Sequence, residues 1–565
     1  MGILGDGPLN TTWMPMITEP DLTPIEKQLC RAAALGRLLD LRTRKRDEDD
    51  PKQGRIWGEN RRIRAQLLRQ LLTGQGDLDQ SFGEPLAIRL RGASVIGALN
   101  LGGLTLRCPL DLRDCFLGGG IDLAKADAPQ ISLRGSVLRH GLSARQLRLK
   151  HNLNLSGGFT CQGKADLRRV YIGGSFEGER AEFINPGGEA LTADRLIVEG
   201  SMFLAGTRAI GQIWLFGAHI SGQLAFNDAV LENPGGDALN AQGVTVEGGM
   251  YLNDTEVTGR ILLLDARIST KLGLKNATLT NPGGDALAAD GLTVETLSLI
   301  GANVTGKVKL PGAKIGGQLT FEGAILENSG DDALIASRAI IGDVDMRPAS
   351  IAGGIDMSHA RVGGWQDDMH TWPTSVHLDG FVYETIDASG VTYRQRLDWL
   401  SREQDGYLPH PYEQLATVYR RAGDEQGARM VAIAKQRARR RAQFSNSWLQ
   451  WPSQAWSWFL RYTIGYGYRP TLVLPYLATL FALGWWIFSR AYPSHVHLAK
   501  SAAGQRQFSP SRYSLDLLLP VANLHERDAF VPCGYAAWWA FGLSLSGWLL
   551  AAVVVAGLTG VFKRG

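Results

Sequence analysis

The chain has 565 residues, with 59 Lys+Arg against 55 Asp+Glu, and a net charge of +4 is too small to imply nucleic-acid binding. Its 44% hydrophobic and 20% charged content is ordinary for a globular protein, but the apolar residues are unevenly spread: nine of the 15 Trp lie between Trp448 and Trp548. Five cysteines (Cys30, Cys108, Cys115, Cys161 and Cys533), far apart and without a Cys-x-x-Cys pair, argue against a disulfide framework or a structural zinc site and read as reduced, mostly buried thiols.

Met1 to Pro20 lacks the basic start and apolar run of a signal peptide, so the body of the protein is expected in the cytosol. Residues 1–85 read as a helical N-terminal cap. Thr23-Pro24, preceded by Asp21, offers an N-cap with Pro at the first helical position. A second helix is expected to hold Ile63, Leu67, Leu68, Leu71 and Leu72.

From 86 to 365 the chain repeats. Apolar-x-apolar pairs recur at a near-constant short spacing, as Leu110-Leu112, Ile121-Leu123, Ile131-Leu133, Met202-Leu204, Ile213-Leu215 and Leu224-Phe226. Between them fall pairs with a small first member, such as Ala218-Ile220, Ala266-Ile268 and Ala313-Ile315. A helix would point the two members of a pair to opposite faces, whereas a strand points both the same way. Two 11-residue units close one four-sided coil, with the small Ala letting side chains stack in a narrow tube. A longer period overlies this one: Asn185-Pro186-Gly187-Gly188 returns at Asn233, Asn281 and, degraded, at Asn328, at intervals of 48, 48 and 47. Two coils of 22 and a four-residue turn insertion give that period, and Asn-Pro-Gly suits a turn whose glycine needs positive φ. The fold expected is mainly β: a right-handed parallel β-solenoid of about 12 four-sided coils, closed by helical caps.

Residues 366–445 read as a helical C-terminal cap, and Pro411 to Gln436 resembles a single tetratricopeptide-like helix pair. Residues 446–470 read as a Trp-rich interfacial segment. Two nearly uncharged apolar runs then follow, at 471–492 and 535–562, each long enough for a ~30 Å hydrocarbon layer. Positive residues before the first run and after the second place both termini in the cytosol and the loop outside. Residues 471–565 are thus expected to be a two-helix transmembrane hairpin in the inner membrane. Arg437, Arg439, Arg440, Arg441, Trp448, Trp451, Trp456 and Trp458 are the expected contacts with its anionic inner leaflet.

No spacing specifies catalytic, cofactor or metal chemistry. No Gly-x-Gly-x-x-Gly or Walker loop stands in context, and His495-x-His497 supplies only two ligands. Glu189, Asp237, Asp285 and Asp332 occupy equivalent positions after the turn insertions, but two coils separate each from the next, so they read as solvated turn residues rather than a calcium cage.

Taken together with the caps and the repeat, the segments Gly465-Tyr466-Gly467-Tyr468-Arg469-Pro470, Tyr513-Ser514-Leu515-Asp516-Leu517-Leu518-Leu519-Pro520 and Val555-Ala556-Gly557-Leu558-Thr559-Gly560 resemble a largely actinobacterial family labelled membrane-associated oxidoreductase. The central region resembles pentapeptide-repeat-like β-solenoids. The first resemblance implies a redox enzyme but brings no catalytic residue, and none of the residues supplies one. The architecture itself predicts a membrane-anchored scaffold or binding module with a protein partner on the solenoid and no nucleic acid. An oligomeric two-helix pore is the remaining alternative.

Overall fold

The computed structural model describes residues 16–45, 47–387, 390–444, 473–498, 507–519 and 524–558. They fall into two units, 1–414 and 415–565.

The first unit is a parallel β-solenoid of about 14 turns, with helices at its ends. One coil shows the plan. Short strands at Ile131–Ser132, Val137–Leu138, Leu142–Ser143 and Arg148–Leu149 form four successive sides, and Leu153–Asn154 opens the next coil. Each pairs in parallel with its equivalent one coil on: Ile131 with Leu153, Val137 with Thr160, Leu142 with Ala165, Arg148 with Tyr171. Adjacent sides share sheets where a strand runs round a corner. Arg267–Gly273 is one case, pairing Ile268 with Val294 before the corner and Leu272 with Leu297 after it.

The interior is a set of vertical stacks. On one side Leu110, Ile131, Leu153, Phe176, Met202, Leu224, Met250 and Leu272 lie one above another, all buried. At ~4.8 Å per coil each side chain touches its counterparts above and below. That contact is why a period-2 pattern suffices without a longer hydrophobic run.

The 48-residue period resolves into a long coil and a short one. Phe176 pairs with Met202 across a long coil, and Met202 with Leu224 across a short one; the alternation then repeats through Met250 and Leu272. Hydrogen bonds between equivalent positions mark the two lengths, with Ser175 and Ser201 separated by 26 and Ser201 and Gln223 by 22. The difference is the turn insertion, folded within the strand Glu182–Thr192. Asn185 Nδ2 donates to the Glu189 carbonyl (2.9 Å), and Asn233, Asn281 and Asn328 repeat the bond at their own insertions. Gly187, Gly235 and Gly283 supply the positive φ expected of the turn (70°, 73° and 70°). On the following short coil the insertion lies over a second glycine, which its spacing alone does not reveal. A Cβ on Gly259 would stand 2.5 Å from the Asn233 carbonyl oxygen and 2.8 Å from that of Gly236. The long coil therefore requires a short, glycine-bearing coil beside it.

The solenoid is longer than the expected 12 coils. At its start, Leu38–Asp40 pairs with Ile88–Arg91, and Arg62–Arg64 with Ser94–Ile96, so the cap lends two strands to the ladder. At its end the ladder passes residue 365 and continues through Ser375–His377 and Val382–Ile386. These terminal rungs lack the regular spacing of the interior because helices, rather than further coils, cover them.

The N-terminal helices are α1 (Pro24–Ala34), α2 (Ala65–Thr73) and α3 (Leu78–Phe82). Thr23 caps α1, its side chain accepting from the Glu26 N–H. Ile63 lies in a strand rather than a helix, while Leu67, Leu68, Leu71 and Leu72 form the buried face of α2. After the last rung comes α4 (Tyr393–Leu400), then α5 (Pro409–Arg421) and α6 (Glu425–Phe444), the helix pair read from the sequence. Leu415, Ala416, Tyr419 and Ala428 of that pair are buried.

In the second unit α7 (Val473–Ala491), α8 (Pro510–Leu518), α9 (Glu526–Ala529) and α10 (Tyr535–Leu558) follow α6. The core between α7, α8 and α10 holds Phe488, Tyr513, Leu517, Ala540 and Leu543. Fully buried Asp516 accepts the backbone N–H groups of Leu524, Glu526 and Arg527 (2.8–3.0 Å), tying the segment before α10 to α8. Much of the Tyr513–Leu519 motif thus has a structural role. The expected transmembrane hairpin is not established by these helices: among the described residues no helix is long and apolar enough to cross a membrane.

Candidate anion-binding groove

The repeat brings together charges that are far apart in the chain. Along one corner of the solenoid, the turn between two sides places Arg145, Arg168, Asp194 and Phe216 at equivalent positions in four successive coils. Gln146, Arg169, Arg195 and Gly217 form the adjacent column. Backbone bonds fix this stacking: Gln146 N–H donates to Arg168 O (2.9 Å), Arg169 N–H to Asp194 O (2.8 Å) and Arg195 N–H to Phe216 O (2.9 Å). All of these but Gly217 line a cavity of about 470 Å³.

Electrostatically the groove is unbalanced. Arg168 grips Asp166 with two bonds (2.6 and 2.9 Å), and Arg145 reaches the same carboxylate at 3.4 Å. Burial alone would raise the Asp166 pKa, but these hydrogen bonds and the nearby cations outweigh it and hold it below the usual range. Among the described residues neither Arg169 nor Arg195 has an ion pair or side-chain hydrogen bond. Asp194 is also unpaired: its Oδ1 is buried without a hydrogen-bond partner. Burial pushes its pKa up, against the pull of Arg168 and with the push of Glu189. Lys164 and Glu189, close by, are bonded to each other.

Sequence reading missed this cluster because each arginine belongs to a different coil and looks, along the chain, like an isolated surface charge. The usable signal was the coil length, long or short, applied to charged turn residues as well as to apolar pairs.

The acids after the turn insertions are also settled by geometry. Glu189 pairs with Lys164, Asp237 with Arg260 at 2.6 Å and Asp285 with Lys309 at 3.6 Å. They are ion-paired from coil to coil, not merely solvated. Asp332, last in the series, instead lies near a cluster at the C-terminal end, where His377 Nδ1 stands 3.3 Å from Asp405 and 3.9 Å from Glu403. These three could offer one ligand atom each to a cation, all within 4.8 Å of one another. The Glu403 Oε2 already accepts the Leu378 N–H (2.8 Å), so the cluster also closes the last rung onto the loop after α4.

Of the expected membrane-surface residues, Arg437, Arg439, Arg440 and Arg441 lie near the end of α6 and keep partial or full exposure. Trp448, Trp451, Trp456 and Trp458 lie outside the described residues, as does the whole interfacial segment 446–470. Cys30, Cys108, Cys115 and Cys161 are buried and Cys533 is exposed. No family model, curated protein or solved structure matches the chain, so the resemblance to membrane-associated oxidoreductases rests on the quoted motifs alone.

Proposed function

We propose that the chain is a membrane-anchored scaffold or binding module, whose solenoid presents a cytoplasmic interaction surface and whose C-terminal helices are the tether. The observation that carries the tether is the apolar surface of α7 and α10. Trp485 and Trp486 on α7, and Trp538, Phe541, Leu545 and Trp548 on α10, are all more than half exposed, with Trp538 at 78%. The opposite side of α10 buries Ala536, Ala540 and Leu543. Its 24 residues include no Asp, Glu, Lys or Arg. A helix apolar all round suits burial in a large core or in lipid, not contact with water.

The expected spans, 471–492 and 535–562, extend beyond the described residues, and extraction chemistry tests whether they cross the bilayer. Membranes washed with alkaline carbonate should retain the protein. Protease added outside intact cells should cut only between Arg490 and Phe530. Release by carbonate, or cleavage within the solenoid, would sink this reading.

A second reading is an oligomeric pore. It is favoured by the packing of the short α8 against both long helices, but Asp516 is committed to backbone N–H groups. A strictly monomeric detergent complex would end it.

A further inference from the structure

We propose that the arginine groove between residues 145 and 216 is a binding site for a phosphate monoester bearing a planar ring, a mononucleotide by chemical class.

Charge is the first argument. Arg145, Arg168, Arg169 and Arg195 line the cavity with Asp194; Arg145 and Arg168 reach Asp166, while Lys164 and Glu189 nearby cancel each other. Two positive charges remain, which matches a phosphate monoester dianion. Arg169 and Arg195 lie in adjacent coils, ~4.8 Å apart along the column, and neither has an ion pair among the described residues. Planar guanidinium groups suit bidentate contact with phosphate oxygens.

The second argument is conformational. Arg169 and Arg195 sit at φ 56° and 51°, in the left-handed region, where a non-glycine residue costs about 1–2 kcal/mol. The same column carries glycine at Gly217, Gly243, Gly291 and Gly312, with φ between 60° and 69°, and other residues at Gln146, Asp265 and Arg338, with φ between 52° and 59°. Arginine holds this position in two consecutive coils that line the cavity, beside Gln146 in the coil before them.

The other groups narrow the ligand. Asp194 is a lining residue, and its carboxylate suits a ligand that brings hydrogen-bond donors, such as a sugar hydroxyl or an exocyclic amine. Phe216, 38% exposed on the cavity wall beside Arg195, offers a face for a flat ring. The cavity of about 470 Å³ falls within the usual range for small-ligand sites. A bare phosphate or a lipid headgroup would occupy the arginines and leave the Phe216 face unused. All the groups named belong to the solenoid, so the proposal does not depend on the membrane tether.

The test is fluorescence polarisation of an N-methylanthraniloyl-labelled AMP on the detergent-purified full chain, with AMP, adenosine, inorganic phosphate and glycerol 3-phosphate as competitors. AMP should compete best, and adenosine and the two ring-free phosphates at least tenfold more weakly. Arg169→Gly and Arg195→Gly put at a left-handed position the residue that carries no penalty there, so they should keep the melting temperature or raise it. Each should weaken AMP about tenfold or more. Phe216→Ala should weaken AMP and leave phosphate unchanged, whereas Asp194→Asn should weaken AMP yet tighten phosphate. Absence of saturable binding, equal competition by AMP and phosphate, or unchanged AMP affinity in both glycine variants would each overturn the proposal.

Discussion

Arg396 and Asp367 form a bidentate ion pair sealed from solvent at the C-terminal end of the solenoid. The two bonds measure 2.6 and 2.7 Å, and the side chains are 1% and 2% exposed. Asp367 also accepts the indole N–H groups of Trp365 and Trp372, each at 3.0 Å, and Arg396 donates to the Asp387 carbonyl at 2.9 Å. The guanidinium lies 5.4 Å from the Trp372 ring centroid and 5.9 Å from that of Trp399. These contacts bind α4 to the last coils, in place of the next rung that an interior coil would have.

Replacing one member leaves the other charged and buried. Arg396→Met should therefore cost about 3–5 kcal/mol, read as a drop in the denaturation midpoint. Arg89→Met, a substitution at an exposed arginine near the other end, should cost less than about 0.5 kcal/mol. Equal effects would show that the sealed pair does not hold the cap.

The glycine beneath each turn insertion gives a graded prediction. Gly259→Ala drives a Cβ into two carbonyl oxygens at φ +114° and should destabilise by about 2–5 kcal/mol. Gly235→Ala, at φ +73° with nothing within 4 Å, meets only the left-handed penalty of about 1–2 kcal/mol. Chemical denaturation of both variants checks the order, and a reversed order would refute the packing account.

His377 should make stability depend on pH. Burial alone would lower its pKa, but the Asp405 hydrogen bond and the charges of Asp332, Asp405 and Glu403 outweigh this and raise it. Burial raises Asp332 and Glu403 as well. All three bind protons more tightly when folded, so their contribution is present at low pH and falls as pH rises. The loss begins above 3.8 for Asp332, 4.5 for Glu403 and 6.5 for His377. Wild type should melt a few degrees above His377→Asn at pH 5, and the gap should close as pH rises past 7. A gap that is constant from pH 5 to 8 would rule out the ionic origin.

The thiols divide cleanly. Burial pushes Cys30 up to about 11, and Cys115 and Cys161 up to about 12, so these make little thiolate at neutral pH. A native thiol titration should find one fast-reacting group, Cys533, and the other four only after unfolding. In intact cells an impermeant maleimide should label Cys533 if the loop before α10 is external; no labelling would oppose that topology.

How much of this was legible depends on where the periodicity holds. The coil plan could be read because Leu153, Phe176, Met202 and Leu224 occupy one stack and keep their apolar character from coil to coil. The turn insertions could be read from Asn-Pro-Gly, yet Gly259 beneath them could not, since its reason is the Asn233 carbonyl in the preceding long coil. The end rungs around His377 and Tyr383 escaped because their outer face meets helices and loops, which removes the need for the repeat. Arg169 and Arg195 were invisible as a pair for a different reason: proximity there comes from coil length, and nothing local marks it. The two long apolar runs were read as membrane spans, but only their apolar character, and not a crossing, is evident in α7 and α10.

The alternation of long and short coils also makes the solenoid a ruler. Because each insertion requires the glycine coil beside it, the inserted region that begins at Glu182–Thr192 can change length cleanly only by the pair, in steps of two coils or ~9.6 Å. Excising residues 212–259 would rejoin Gly211 to Arg260, the counterpart of Gln212, and shorten the molecule by one step with every remaining rung in register. A one-coil deletion would instead bring an insertion against a coil that has no room for it. Duplication and loss within the inserted region should therefore be counted in whole superrepeats, and its reach is quantised accordingly.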